Sequence, residues 1–197
     1  DSGINSLKDL KGKKIAFEDP GSTTGYFLPK VTIMKEGLEM VELENYKQEP
    51  PSDKVGYCFA HGEPNIAHWV YKGLVDAGAL SNIEYQEPDE VPPNFLLSFK
   101  VIYETEPVPR NLILVRGDMS AEMESAIKEI LINMRTAEEG RKIMWNLSKT
   151  LHFDEFPEGE EEIIKKFKEK YDLIREEIQT KIITNQEKKC CTRERPF

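Results

Sequence analysis

The chain has 197 residues, enough to bury a substantial core in one large domain or two small ones. Its formal net charge of −9 argues against a nucleic-acid role, which depends on clustered Lys and Arg. No apolar run reaches the roughly 20 residues of a membrane helix, and Asp1-Ser2-Gly3-Ile4-Asn5 lacks the basic and apolar regions of a signal peptide, so none is expected within this chain.

The first half of the chain alternates strand and helix patterns. Lys13 to Phe17 predicts a strand, and Gly25 to Glu36 a helix that stops at Gly37. Val55 to Phe59 predicts a second strand. It is followed by His61-Gly62-Glu63-Pro64, with Pro64 suited to a first helical turn, and by a helix through Lys72 that ends at Gly73. Leu74 to Leu80 reads as a third strand, and after a loop with Pro88, Pro92 and Pro93, Phe95 to Tyr103 reads as a fourth. This alternation predicts an α/β fold with short, mostly parallel strands. Ligands in such sheets sit beyond the carboxyl ends of the strands, where Gly21–Gly25 and His61–Asn65 fall.

After Thr105-Glu106-Pro107-Val108-Pro109 the pattern changes. Leu112 to Arg116 predicts one more strand, and helices are expected over Ser120–Met134, Thr136–Leu147 and Glu160–Lys181. Ser120 suits a helix start, but Met123 three residues on rules out a capping box. The last helix places Ile163, Ile164, Phe167, Tyr171, Ile174 and Ile178 on one face, a stripe suited to packing on a domain. Residues 185–197 are expected to be a disordered tail. Cys58 lies in an apolar run and reads as a buried small hydrophobe. Adjacent Cys190 and Cys191 would form a strained disulfide and show no metal-ligand spacing.

The densest local signal is Ile15-Ala16-Phe17-Glu18-Asp19-Pro20-Gly21-Ser22-Thr23-Thr24-Gly25-Tyr26. A strand that breaks at Pro-Gly and re-enters a helix through hydroxyl residues leaves backbone N–H groups without intrahelical partners. With the helix dipole and the side chains of Ser22, Thr23 and Thr24, these donors can converge on a phosphate-like or carboxylate group. Gly21 and Gly25 would allow close backbone approach. The same residues also suit an ordinary capped helix with no ligand.

The stretch Gly3 to Phe17, then Asp19-Pro20-Gly21-Ser22-Thr23-Thr24-Gly25-Tyr26 and Pro29, resembles the start of the second lobe in phosphonate/phosphate-binding proteins of ABC importers, which are type-2 periplasmic binding proteins. The resemblance continues through Gly73-Leu74-Val75-Asp76-Ala77-Gly78-Ala79, the Glu104–Pro109 return with its Pro-x-Pro, and Val115-Arg116-Gly117-Asp118, covering residues 3–155. It implies a two-lobed clamp: residues 1–13 as a hinge that leads into the lobe, 14–101 as a complete ligand-binding α/β lobe, and 102–184 as a return segment with C-terminal helices forming a partial, helix-rich second lobe.

By that resemblance Ser22, Thr23 and Thr24 hydrogen-bond phosphonate or phosphate oxygens, with Gly25 and Tyr26 in the same wall. Two departures stand out. Counting back from Gly73 puts Glu63, not His61, at the family's histidine. Glu63 could accept from a protonated oxyanion or pair with an amino group on the ligand, or simply face water with His61 as a loop histidine. Asp76 either faces the cleft or ends a strand. The family's opening first-lobe segment would precede Asp1, so a homo-oligomer, a second chain or a divergent helical lobe is expected to cover the partial lobe.

The function implied is a solute-binding component that captures phosphonate, phosphate or a related oxyanion for uptake through an ABC transporter permease. It would act outside the cytoplasm if exported as the family is, with no cofactor and no nucleic acid. A ligand-sensing regulatory module on the same fold is the alternative. An enzyme is not expected: the sequence offers no Ser-His-Asp order with supporting turns, no metal-ligand cluster among His61, His68 and His152, and no nucleophile elbow.

Overall fold

Lys14–Phe17 (β1) is a strand whose last three side chains are buried, as in a parallel sheet covered on both faces. The computed structural model describes residues 2–109, 112–147, 149–156 and 159–175. They divide into two units, one formed by residues up to 106 together with those from 169, the other by residues 107–168.

In the first unit β1 is followed by a π-helical turn, Thr23–Phe27, which runs directly into helix α1 (Leu28–Lys35). Then come β2 (Met40–Glu42), β3 (Val55–Phe59), α2 (Glu63–Tyr71), β4 (Ala77–Gly78) and the short α3 (Pro93–Leu96). The four strands form one sheet in the order β2-β3-β1-β4, every pairing parallel. Lys14 pairs with Gly56 and Phe17 with Phe59 across the central pair.

The two-residue period of a strand sorts the core onto two faces. Ile15, Phe17, Val55 and Tyr57 pack with Tyr26, Val31 and Ile33, joined by Ile4, Leu10 and Ile174. Ala16 and Cys58 point the other way, into Ile66, Leu43 and Val75. Cys58 is therefore the buried small hydrophobe expected. Gly37 (φ +79°) and Gly73 (φ +67°) follow α1 and α2 in the left-handed conformation of helix C-caps.

Gly78 has a separate reason to be glycine. A β-carbon there would collide with Ile66 Cγ2 and stand 3.1 Å from Val70 Cγ2. Both neighbours are β-branched and stiff. We expect Gly78→Ala to cost about 1–3 kcal/mol, measured as a lower midpoint of urea unfolding.

Several sequence expectations change. Extended pairing over Leu74–Leu80 shrinks to Ala77–Gly78, which pairs with Ile15 and Ala16. Phe95 to Tyr103 is no strand: Pro93 opens α3, and Phe95 turns inward to pack with Ala67 and Val91 and stack on Tyr71 at 3.8 Å. Met40–Glu42, three residues long, was too short to show a period and is a strand by virtue of pairing with β3. The helix expected from Gly25 begins earlier, at Thr23, with Ser22 as its N-cap.

The second unit is helical. It contains α4 (Ala121–Asn133), capped by the Ser120 hydroxyl accepting from Met123 N–H at 3.3 Å, and α5 (Glu138–Asn146). Leu112 to Arg116 forms no ladder among the described residues, and Leu112 and Leu114 are exposed. A last helix, α6, spans Glu160–Asp172. Beyond it, Ile174 is buried in the core of the first unit. Ile178, Lys181, the tail and Cys190/Cys191 lie outside the described residues.

Candidate oxyanion site at the carboxyl end of the sheet

The parallel register extends past the strands. Ala60 N–H donates to Phe17 C=O at 2.8 Å and His61 N–H to Glu18 C=O at 2.9 Å. The loops leaving β1 and β3 are thereby zipped together at the carboxyl end of the sheet.

On the β1 side, Ser22 N–H donates to Asp19 C=O at 3.0 Å, closing a turn around Pro20-Gly21. The Ser22 hydroxyl oxygen accepts from Gly25 N–H at 2.9 Å, so its own proton stays available to donate. Thr23 and Thr24 are exposed. They open the π-helical turn, where backbone N–H groups have no earlier carbonyl within the helix to reach. Gly25 is buried, and a β-carbon there would stand 2.8 Å from the Glu18 carboxylate and 2.9 Å from the Ser22 hydroxyl. Glycine is what lets the turn close against β1.

Tyr26 does not line this surface. Its ring is fully buried against Phe17, Tyr57 and Phe59, and its hydroxyl accepts from the buried Lys30 ammonium at 3.2 Å. Lys30 also donates to Tyr57 at 3.0 Å and sits over that ring at 4.4 Å. The aromatic residue after the cradle is thus an anchor within the core.

On the β3 side, His61 takes a left-handed backbone conformation (φ +56°), uncommon for a residue with a β-carbon. Its ring Nδ1 lies 2.8 Å from a carboxylate oxygen of Asp19. Glu63, the first residue of α2, is only 6% exposed, so it does not face water as one reading of the sequence had it. One carboxylate oxygen accepts from Ser81 N–H at 3.2 Å, while the other, Oε2, is buried without a hydrogen-bond partner. Burial pushes the Glu63 carboxyl up to about 7; the Ser81 hydrogen bond opposes this, and repulsion from Glu84, Glu18 and Glu90 adds to it.

Asp76 stands elsewhere. Its carboxylate accepts from Lys14 N–H at 2.9 Å and lies 3.6 Å from the Lys13 ammonium. That is the amino end of β1, opposite Ser22. Of the residues singled out in the sequence, Ser22, Thr23, Thr24, His61 and Glu63 gather at the carboxyl end; Gly25 and Tyr26 support them from beneath. Asp19 and Glu18 were overlooked. The signal that locates them is the register itself, which sets the residues following β1 beside those following β3.

Residues 1–160 match the family described as ABC transporter, phosphonate, periplasmic substrate-binding protein. The chain belongs to this family. It is 35% identical over 78 residues to the phosphate-import protein PhnD of Mycolicibacterium smegmatis, a match covering 40% of this chain and 23% of that protein. The fold is similar to XAC2383 from Xanthomonas citri, in structures bound to chloride ion and to ATP, each with a TM-score of 0.81. Identity to these is 26% and 27%, over 90% and 89% of this chain and 64% of each of theirs. The chain therefore spans less than two thirds of the length of these relatives. The α/β, periplasmic-binding-protein-like fold implied by the sequence is the fold observed.

Proposed function

We propose that the chain is part of a solute-binding component that captures phosphonate, phosphate or a related oxyanion outside the cytoplasm and delivers it to an ABC transporter permease. It performs no chemistry on the ligand and needs no cofactor; capture works by closing two lobes around the bound anion. The observation that carries this reading is the Ser22–Thr24 turn. Three adjacent hydroxyl residues open a helix at the carboxyl end of a parallel sheet, and the Ser22 proton and the Thr23 and Thr24 donors are left uncommitted. Neutral donors and a helix dipole suit an oxyanion without attracting a bulky cationic shell. Family membership supports the same ligand class, and the Xanthomonas relative is seen with anions, chloride and ATP, of which ATP carries phosphate oxygens.

Glu63 adds a condition on the ligand. Ionised, it accepts from a protonated oxyanion or from an amino group; protonated, it donates. A fully ionised dianion beside its carboxylate is disfavoured.

The test is a calorimetric and thermal-shift panel of phosphate, phosphite, methylphosphonate, aminoethylphosphonate and acetate. A ligand at a hundred times its Kd is expected to stabilise the fold by about 2.7 kcal/mol. Thr23→Val/Thr24→Val is expected to weaken the best ligand at least about ten-fold while the unfolding midpoint without ligand stays within error. A panel with no binder, or a double variant that binds as well as the parent, overturns the reading.

A further inference from the structure

At the mouth of the cradle a histidine in a left-handed backbone conformation is held by an aspartate of the neighbouring loop. Register fixes them as neighbours: with Phe17 opposite Phe59 and His61 N–H bonded to Glu18 C=O, the next residue of each loop is carried to the same level of the sheet. The pair is exposed, with side chains 72% and 50% accessible for His61 and Asp19. A polar contact so open to water contributes little to stability. The backbone strain at His61 is therefore not explained by a gain in folding energy from the contact. Residues held in sparsely populated backbone regions concentrate where a side chain must be aimed.

We propose that Asp19 is a positioning residue for ligand capture: by accepting from Nδ1–H it fixes the His61 ring, leaving Nε2 as the ring nitrogen that meets the oxyanion bound at Ser22–Thr24. The proposal rests on the oxyanion reading and adds a specificity element to it. An aspartate is acceptor-only when ionised, so the ring nitrogen facing it must carry the proton in both the neutral and the charged histidine. In the neutral ring Nε2 is then an acceptor, suited to an oxyanion that keeps one proton; in the charged ring it is a donor. Either way the ring approaches the ligand by the same atom. The carboxylate also ties the β1 loop to the β3 loop through side chains, so both walls of the mouth respond to one bond. Glu63, two residues further on, is buried, so the imidazole held by Asp19 is the exposed titratable group at this end of the β3 loop.

The experiment uses nitrogen-15 spectroscopy of the histidine ring on the 197-residue chain, with and without inorganic phosphate and methylphosphonate. In the free protein His61 is expected as the Nδ1–H form, moving to a mixture of tautomers in Asp19→Ala. Either probe anion is expected to shift the His61 Nε2 resonance, and Asp19→Ala to weaken the affinity about ten-fold, the worth of one hydrogen bond to a charged group. Because His61→Gln removes the ring that Asp19 acts through, Asp19→Ala added to it is expected to cost nothing further. An Nε2–H tautomer in the free protein, or additive losses in the double variant, overturns the positioning role. If the Thr23 and Thr24 amides respond to an anion while the His61 ring does not, this inference fails and the oxyanion reading stands. If no residue responds, both fail.

Discussion

Tyr26→Ala is expected to lower the stability of the fold by about 3–5 kcal/mol, enough to unfold a marginal domain at physiological temperature. The ring is fully buried and meets Phe17 at 5.3 Å, Phe59 at 5.0 Å and Tyr57 at 6.0 Å between centroids. Its loss opens a cavity at the centre of one sheet face and removes an oxygen from the buried Lys30 ammonium. The milder Tyr26→Phe keeps the ring and loses the hydroxyl that accepts from Lys30, an expected cost of about 1–2 kcal/mol. Urea unfolding measures both. A residue that touched ligand would behave in reverse, with affinity changed in the Phe variant and stability spared. The cradle would nonetheless suffer in Tyr26→Ala, because Tyr26 belongs to the same π-helical turn as Thr23 and Thr24.

At pH 8, Glu63→Gln is expected to stabilise the chain by roughly 2–3 kcal/mol, and at pH 4 to change little. A carboxyl raised from about 4.5 to about 7 by burial holds its proton in the folded state where the unfolded chain has released it. Below about 4.5 both states are protonated and the favourable contribution is complete. It is lost as pH rises toward and through 7, since the folded protein must then keep a buried charge near Glu84, Glu18 and Glu90. Glutamine keeps the shape and the acceptor for Ser81 N–H without that charge. Urea midpoints of parent and variant at the two pH values measure the effect. A variant less stable than the parent at pH 8 would show that the ionised carboxylate is compensated by a partner.

The fold's first unit was legible because its strands carry unbroken apolar runs and its helices end at glycines. Ile15-Ala16-Phe17 and Val55 to Phe59 could hardly be other than buried strands, and the helix breaks at Gly37 and Gly73 stand where they were read. Phe95 misled because an aromatic, β-prone run follows two prolines: Pro93 at a helix start outweighed the propensity of the residues beyond it. Met40–Glu42 is a strand because β3 pairs with it, a non-local fact that three residues do not encode.

The candidate site was readable in part. The hydroxyl turn announces itself, since its chemistry is contiguous in sequence. Its supports are not contiguous: Tyr57 on β3 meets Lys30 on α1, and Asp19 meets His61 across 42 positions of chain. Tyr26 looked like a member of the wall because sequence neighbours of a cradle share its loop. A helical turn rotates successive side chains around its axis, so residues two apart point in different directions and Tyr26 is sent inward. Asp76 was placed by a family motif whose neighbours are apolar. Only the ladder shows which end of the strand it caps.

The order of the sheet has a consequence for how the chain comes to be folded. β1 is one of the two central strands, yet its long partner is not the next strand in sequence: Lys14 waits for Gly56. At ~5–20 residues per second of synthesis, a nascent chain carries the adhesive segment Ile15-Ala16-Phe17 unpaired for on the order of 2–8 seconds before β3 has left the ribosome. During that interval β2 is unpaired as well, since its ladder among the described residues is with β3. Completion of Val55–Phe59 is then the moment at which three strands acquire partners together, and a holdase that shields the segment around Phe17 until that moment would raise the yield of native protein.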